Sequence, residues 1–211
     1  MGIAVASIKW NRKDPGPVID RIVREFSRDR PVIIPTDTLY GIAAPISSET
    51  AMKNIFKLKG RPSDQTLPVA VGALHQLDPL VIIHKWQKTT LRENLPGPVT
   101  FILQARGNLS SLIVRDGTIA VRVPRHMLFL DLVKRTGPLA LTSANLHGEN
   151  NILEGSQLDL RFNNDLLVIE DDHIIKGTAS EIVDITNREP IIVRKGKVNT
   201  EEFMGEDNGR R

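Results

Sequence analysis

What most constrains the fold of this chain is the alternation of two kinds of apolar pattern. Short apolar runs, including "PVII" (31–34), "LPVAVG" (67–72), "VTFIL" (99–103), "IAVRVP" (119–124), "PLALTSA" (138–144), "LLVIE", "EIVDI" and "PIIVR", have the length and aliphatic content of buried strands. Between them lie segments with apolar residues at helical spacing. Val18, Ile19, Ile22, Val23 and Phe26 mark a helix over 17–28, and Met52, Ile55 and Phe56 mark another. Ser48 is placed to cap that second helix, with Glu49 in its first turn and its end near Gly60-Arg61-Pro62. Helices are also predicted at 84–94 and Met127–Arg135. Interleaving of this kind argues for an α/β fold with a mixed, substantially parallel sheet.

The rest of the sequence narrows the class. At 211 residues with no obvious linker, one domain over 1–198 is expected, followed by a polar, frayed tail at 199–211. There is no cysteine, which excludes a disulfide framework, a thiolate nucleophile and Cys-ligated metal. The five histidines are scattered without metal-site spacing. A net charge of +3 is too small to identify a nucleic-acid binder, but it suits an anionic substrate if the cations cluster. No apolar run is long enough to span a bilayer, and "MGIAVAS" makes a poor signal peptide. It fits the loose myristoylation pattern but reads better as a first strand. A cytoplasmic protein without a membrane partner is expected.

Polar clusters sit where strands end, which is where open α/β sheets bind ligands. "PTDTLYG" (35–41) follows the strand at "VII". Its hydroxyls, Thr36 and Thr38, can satisfy a local turn or grip a small polar ligand. "KLKGRPSD" (57–64) places Lys59 and Arg61 on a turn at a helix end. There they either complement the helix dipole or hold a phosphate, and truncating them should cost little packing. "TSAN" (142–145) and "GTASEIVD" (177–184) are turns or further hydrogen-bonding groups. Arg122 and Arg194 lie on or at the ends of strands. No Walker-type phosphate loop and no Ser-His-Asp arrangement is present.

Taken in order, "PTDTLYGIAA", "IFKLKGRPSD", "LPGPVTFIL", "TIAVRVPRH", "LTSANLHG", "SEIVDIT" and "IIVRKGKV" resemble the YrdC/TsaC threonylcarbamoyl-AMP synthases, over roughly residues 15–197. The resemblance implies a twisted mixed sheet with flanking helices around a positively charged concave face. It implies condensation of L-threonine, bicarbonate and ATP, with Mg2+, to threonylcarbamoyl-AMP and pyrophosphate. That is a nucleotidyltransferase reaction and the first step of threonylcarbamoyladenosine modification of tRNA. Partner proteins would then transfer the group, and contact with tRNA or double-stranded RNA is a further expectation.

Carried over residue by residue, Lys59 and Arg61 would hold the triphosphate and its developing charge. Thr36, Arg122 and Ser180 would bind L-threonine, Arg122 through the carboxylate. Thr118, Ser143, Asn145 and Arg194, together with Lys59, would meet the nucleotide. No metal-ligating residue is implied. The chain departs from the family pattern at Ala70, where many members carry His, at "HGENNIL" after "SAN", and at "EDDHIIKG" before Ala179. Two other readings stay open: a non-catalytic RNA-binding module of the same fold, and a carbamoyl-adenylate-forming domain like that of hydrogenase maturation proteins.

Overall fold

The computed structural model describes residues 7–60, 65–145, 158, 166–171 and 177–196. One sheet contains eleven strands: β1 (Ser7–Lys9), β2 (Val32–Ile34), β3 (Gly41–Pro45), β4 (Val69–Ala70), β5 (Val99–Gln104), β6 (Val114–Arg115), β7 (Thr118–Arg122), β8 (Leu139–Ser143), β9 (Leu167–Glu170), β10 (Glu181–Asp184) and β11 (Ile191–Arg194). Four α-helices lie wholly among the described residues: α1 (Gly16–Phe26), α2 (Glu49–Lys59), α3 (Lys85–Asn94) and α4 (Met127–Thr136). The strand order is β1-β9-β2-β3-β8-β4-β7-β5-β10-β11, with β6 beside β7.

The sheet is mixed, but the parallel component is smaller than the sequence suggested. Four ladders are parallel, joining β1 to β9, β2 to β9, β4 to β7 and β5 to β10, and the other six are antiparallel. Two of those six involve β3, which the sequence hides. "GIAAP" is too small and too rich in Gly and Pro to look like a strand, yet it lies between β2 and β8, antiparallel to both. The strands approach closely at Gly41: a Cβ there would fall 2.5 Å from Leu141 Cδ1 and 3.3 Å from the Thr142 carbonyl oxygen, so a larger residue would displace the Leu141 side chain. The tight β6–β7 hairpin also went unread. Its Asp116 and Gly117 have φ of 51° and 70°, the left-handed pair that a two-residue turn between twisted strands demands.

Side chains alternate across the sheet and divide the core in two. Ile33, Ile42, Ala44, Val69, Ala140 and Val168 face one cluster, which takes in Ala51, Met52, Ile55 and Phe56 of α2 and Leu91 of α3. Their neighbours Val32, Ile34, Ala43, Ala70, Leu139, Leu141, Leu167 and Ile169 face the other, built on α1 and α4. Helix α1 supplies Val18, Ile19, Ile22 and Phe26, with a proline in its first turn where no N–H partner is lost. Helix α2 starts as expected, with Ser48 Oγ accepting the Ala51 N–H at 3.0 Å, and ends on left-handed Gly60 at φ 58°.

Coverage differs along the sheet. The first cluster extends beneath β5, β7 and β10 through Val99, Phe101, Leu103, Ile119, Val121 and Val183. On the opposite face of those strands none of the described residues joins the α1/α4 cluster. The alternate positions Thr100, Ile102, Ala120, Arg122 and Ile182 instead line a cavity.

Candidate functional site

The cavity has a volume of about 270 Å³. Its floor is the face of β5, β7 and β10 that points away from the first cluster, and its walls are the turn after β2, the end of β8 and the segment before β10. Thr36, Arg122, Ser143, Ser180 and Arg194, separated by up to 158 positions in the chain, all line it.

The turn after β2 is built on Thr36. Its hydroxyl accepts the N–H groups of Thr38 (3.2 Å) and Leu39 (3.3 Å) and donates to the Leu39 carbonyl (2.6 Å). A hydroxyl has one proton, and here the turn uses it. Thr36 would therefore reach a ligand only by exchanging its bond to Leu39. The next two side chains face a cation. Arg122 Nη2 donates to Asp37 Oδ1 at 2.8 Å, and Nη1 donates to Thr38 Oγ1 at 3.3 Å. Arg122 is 7% exposed and Asp37 5%, so the ion pair is buried. Burial lowers the Arg122 pKa from its ordinary value, Asp37 opposes that shift, and the nearby charge of Arg194 adds to it.

Behind Asp37 lies a second charged layer. The buried His126 ring places Nε2 3.5 Å from Asp171 Oδ2, and the same oxygen meets Arg12 Nη2 at 3.3 Å. The Asp171 N–H donates to the hydroxyl of Tyr40, a cavity residue, at 3.1 Å. Burial pulls the His126 pKa down, while the charges of Asp171 and Asp37 oppose it.

Lys59 corrects one expectation. It is the last residue of α2, but it is only 2% exposed and not a free charge on a turn. Its ammonium donates to the Ser143 carbonyl and, at 3.2 Å, to Asn145 Oδ1, which also accepts from Ser143 Oγ at 2.6 Å. The "KLKG" and "TSAN" motifs thus meet at the end of β8. At the opposite wall, Ser180 Oγ lies 2.9 Å from Thr100 Oγ1. Arg194 is fixed on the Ser180 carbonyl by Nε (3.1 Å) and Nη2 (2.7 Å).

Of the predicted residues that the structure describes, Lys59, Asn145 and Thr118 are not part of the cavity lining, although Lys59 and Asn145 both bond to Ser143, which is. Thr118 does not line the cavity; its hydroxyl donates to the Arg115 carbonyl at 2.9 Å across the β6–β7 turn. Arg61 lies outside the described residues, as do "HGENNIL" and most of "EDDHIIKG". Ala70 is buried against the α1/α4 cluster. The sequence reading missed Asp37, Tyr40, Gln65, Thr66 and Thr100. Thr100 was recoverable, since it is the polar residue in the otherwise apolar "VTFIL".

Comparison with known proteins points the same way. The Sua5/YciO/YrdC family model, described as "Telomere recombination", matches residues 25–196. A Mycobacterium tuberculosis protein is 31% identical over 182 residues, covering 83% of this chain and 84% of its own length. The threonylcarbamoyl-AMP synthase of Pyrococcus abyssi is 30% identical over 189 residues, which cover 87% of this chain and 55% of that protein. The crystal structure of P. abyssi Sua5 complexed with L-threonine is matched with a TM-score of 0.86 at 28% identity, over 94% of this chain and 59% of that one. The chain therefore spans little more than half the length of the P. abyssi protein.

Proposed function

Because the chain belongs to the Sua5/YciO/YrdC family, we propose that its cavity makes threonylcarbamoyl-AMP and pyrophosphate from L-threonine, bicarbonate and ATP. This is adenylyl transfer, so the protein is a nucleotidyltransferase whose product feeds threonylcarbamoyladenosine formation in tRNA. The observation that carries the reading is the convergence of two guanidiniums, Arg122 and Arg194, with the Ser143 and Ser180 side chains on one cavity. The name and threonine complex of the P. abyssi relatives support the amino-acid half of it.

The chemistry needs no protein nucleophile. The threonine amine adds to CO2 with loss of a proton, or condenses with bicarbonate with loss of water, and the resulting carbamate oxygen attacks the α-phosphorus of ATP as pyrophosphate leaves. The protein has to hold two anions in line and offset their charge. Arg122 would take the threonine carboxylate, with Ser180 beside the amino acid. Lys59, Ser143, Asn145 and Arg194 would face the nucleotide, with Arg61 on the triphosphate. Thr118 would contact the nucleotide only where it extends beyond this cavity. Mg2+ enters with ATP. Among the described residues no cluster of three or more His, Asp or Glu side chains could hold a metal.

No helix among the described residues is long and apolar enough to cross a membrane. A cytoplasmic setting belongs to the proposal, as do transfer proteins that consume the adenylate and any contact with tRNA. The test is pyrophosphate release from ATP with and without L-threonine and bicarbonate. Release that requires both is expected. Salt-dependent RNA binding without such release would overturn the reading in favour of an RNA-binding module.

A further inference from the structure

Asp37 has no part in the reaction as set out above, yet it is the buried counter-ion of the cavity's central cation. The turn that carries it is closed by Thr36, which leaves Asp37 and Thr38 side by side as a clamp. Asp37 Oδ1 takes Nη2 of Arg122 and Thr38 Oγ1 takes Nη1. Two anchors on two different nitrogens fix the plane of a guanidinium, which a flexible side chain does not do by itself. The clamp is also economical in donors. Asp37 engages Arg122 through one oxygen, and neither Asp37 Oδ2 nor Arg122 Nε has a hydrogen-bond partner among the described residues. Of five N–H groups on the guanidinium, the clamp occupies two, which leaves donors for a second carboxylate.

We propose that Asp37 is a positioning residue: it holds Arg122 in the one pose at the cavity floor from which the remaining N–H groups can bind the carboxylate of the amino-acid substrate. This inference rests on the synthase reading of the cavity. Two effects compete. The negative charge of Asp37 weakens the field that an incoming carboxylate feels. Without Asp37, however, Arg122 would be a buried cation with Arg194 close by and no counter-ion, and such a group turns toward water instead of keeping its place. Loss of the pose outweighs the gain in field, so removing Asp37 weakens substrate binding.

The experiment is steady-state pyrophosphate release by Asp37→Asn, which keeps the shape and removes the charge, with folding checked by thermal melt. A rise of about tenfold in the threonine KM is expected, the scale of one lost charge-assisted hydrogen bond, with the ATP KM nearly unchanged. In an Arg122→Lys background the same substitution should add little, because the pose it sets no longer exists. Thr38→Val, which keeps the ion pair, should raise the threonine KM by a smaller factor and serves if Asp37→Asn folds poorly. A lowered melting point with an unchanged or lowered threonine KM, in an otherwise active protein, overturns the positioning role alone. A wild type that releases no pyrophosphate in response to threonine overturns the synthase reading and this inference with it.

Discussion

The Lys59 ammonium donates to the main-chain carbonyl of Ser143, 84 positions further along the chain, and the lysine is buried as it does so. A lysine at the end of a helix normally extends into water. Here it ties the end of α2 to the end of β8, beside the cavity wall. Lys59→Ala should therefore lower stability as well as turnover. Leaving buried acceptors without a donor costs about 1–3 kcal/mol. Urea unfolding and pyrophosphate release on one preparation check both effects. A variant that unfolds like wild type would show that the contact contributes nothing to the fold.

Thr36→Val separates the two roles of the "PTDT" threonine. The substitution keeps β-branching but strips the turn of one donor and of the acceptor for two N–H groups. We expect a lowered melting point, again on the scale of about 1–3 kcal/mol for unpaired buried groups, and a modest change in the threonine KM. A large rise in that KM at unchanged stability would mean that the hydroxyl leaves Leu39 for the substrate.

L-Threonine should stabilise the protein against heat, and more so with ATP and Mg2+. A ligand that binds only the folded state adds RT ln(1 + [L]/Kd), about 2.7 kcal/mol at a hundredfold excess over Kd. Serine, lacking the methyl group, should do less. A thermal melt across a threonine titration reads the effect directly, and no shift at millimolar threonine would count against the substrate assignment.

Stability should fall on mild acidification, and His126 should account for part of the loss. Its folded-state pKa lies below the ordinary histidine value because burial disfavours the cation. The unfolded chain therefore takes up the proton first. The neutral ring contributes stability that is complete above the unfolded value of about 6.5 and is lost as pH falls toward the lower folded value. His126→Gln should shrink the drop in urea midpoint between about pH 8 and pH 5.5 relative to wild type. An equal drop in both proteins would assign the acid sensitivity to other groups.

The sequence carried the helices and most strands because their signals are local. Ser48 and Gly60 bracket α2, and Val18, Ile19, Ile22 and Phe26 stripe α1. β3 was invisible because its strand character comes from neighbours on both sides and not from its own small residues. The site divided along similar lines. Arg122, Ser143, Ser180 and Arg194 could be nominated as polar groups at strand ends, and they do line one cavity. That Lys59 is buried and that Asp37 pairs with Arg122 depend on which distant segments meet, and no window of the sequence contains that information.

β7 has a further consequence. Val121 points into the core and Arg122 into the cavity, and the pairing of β7 with β4 and β5 holds that register. A slip by one position would turn the guanidinium into aliphatic packing and present valine to the ligand. A change that shifted β7 by one residue against β4 or β5 would thus disturb core and cavity together, although it alters the composition of neither. For this strand, one alternation decides both how the core is filled and which side chains the cavity presents.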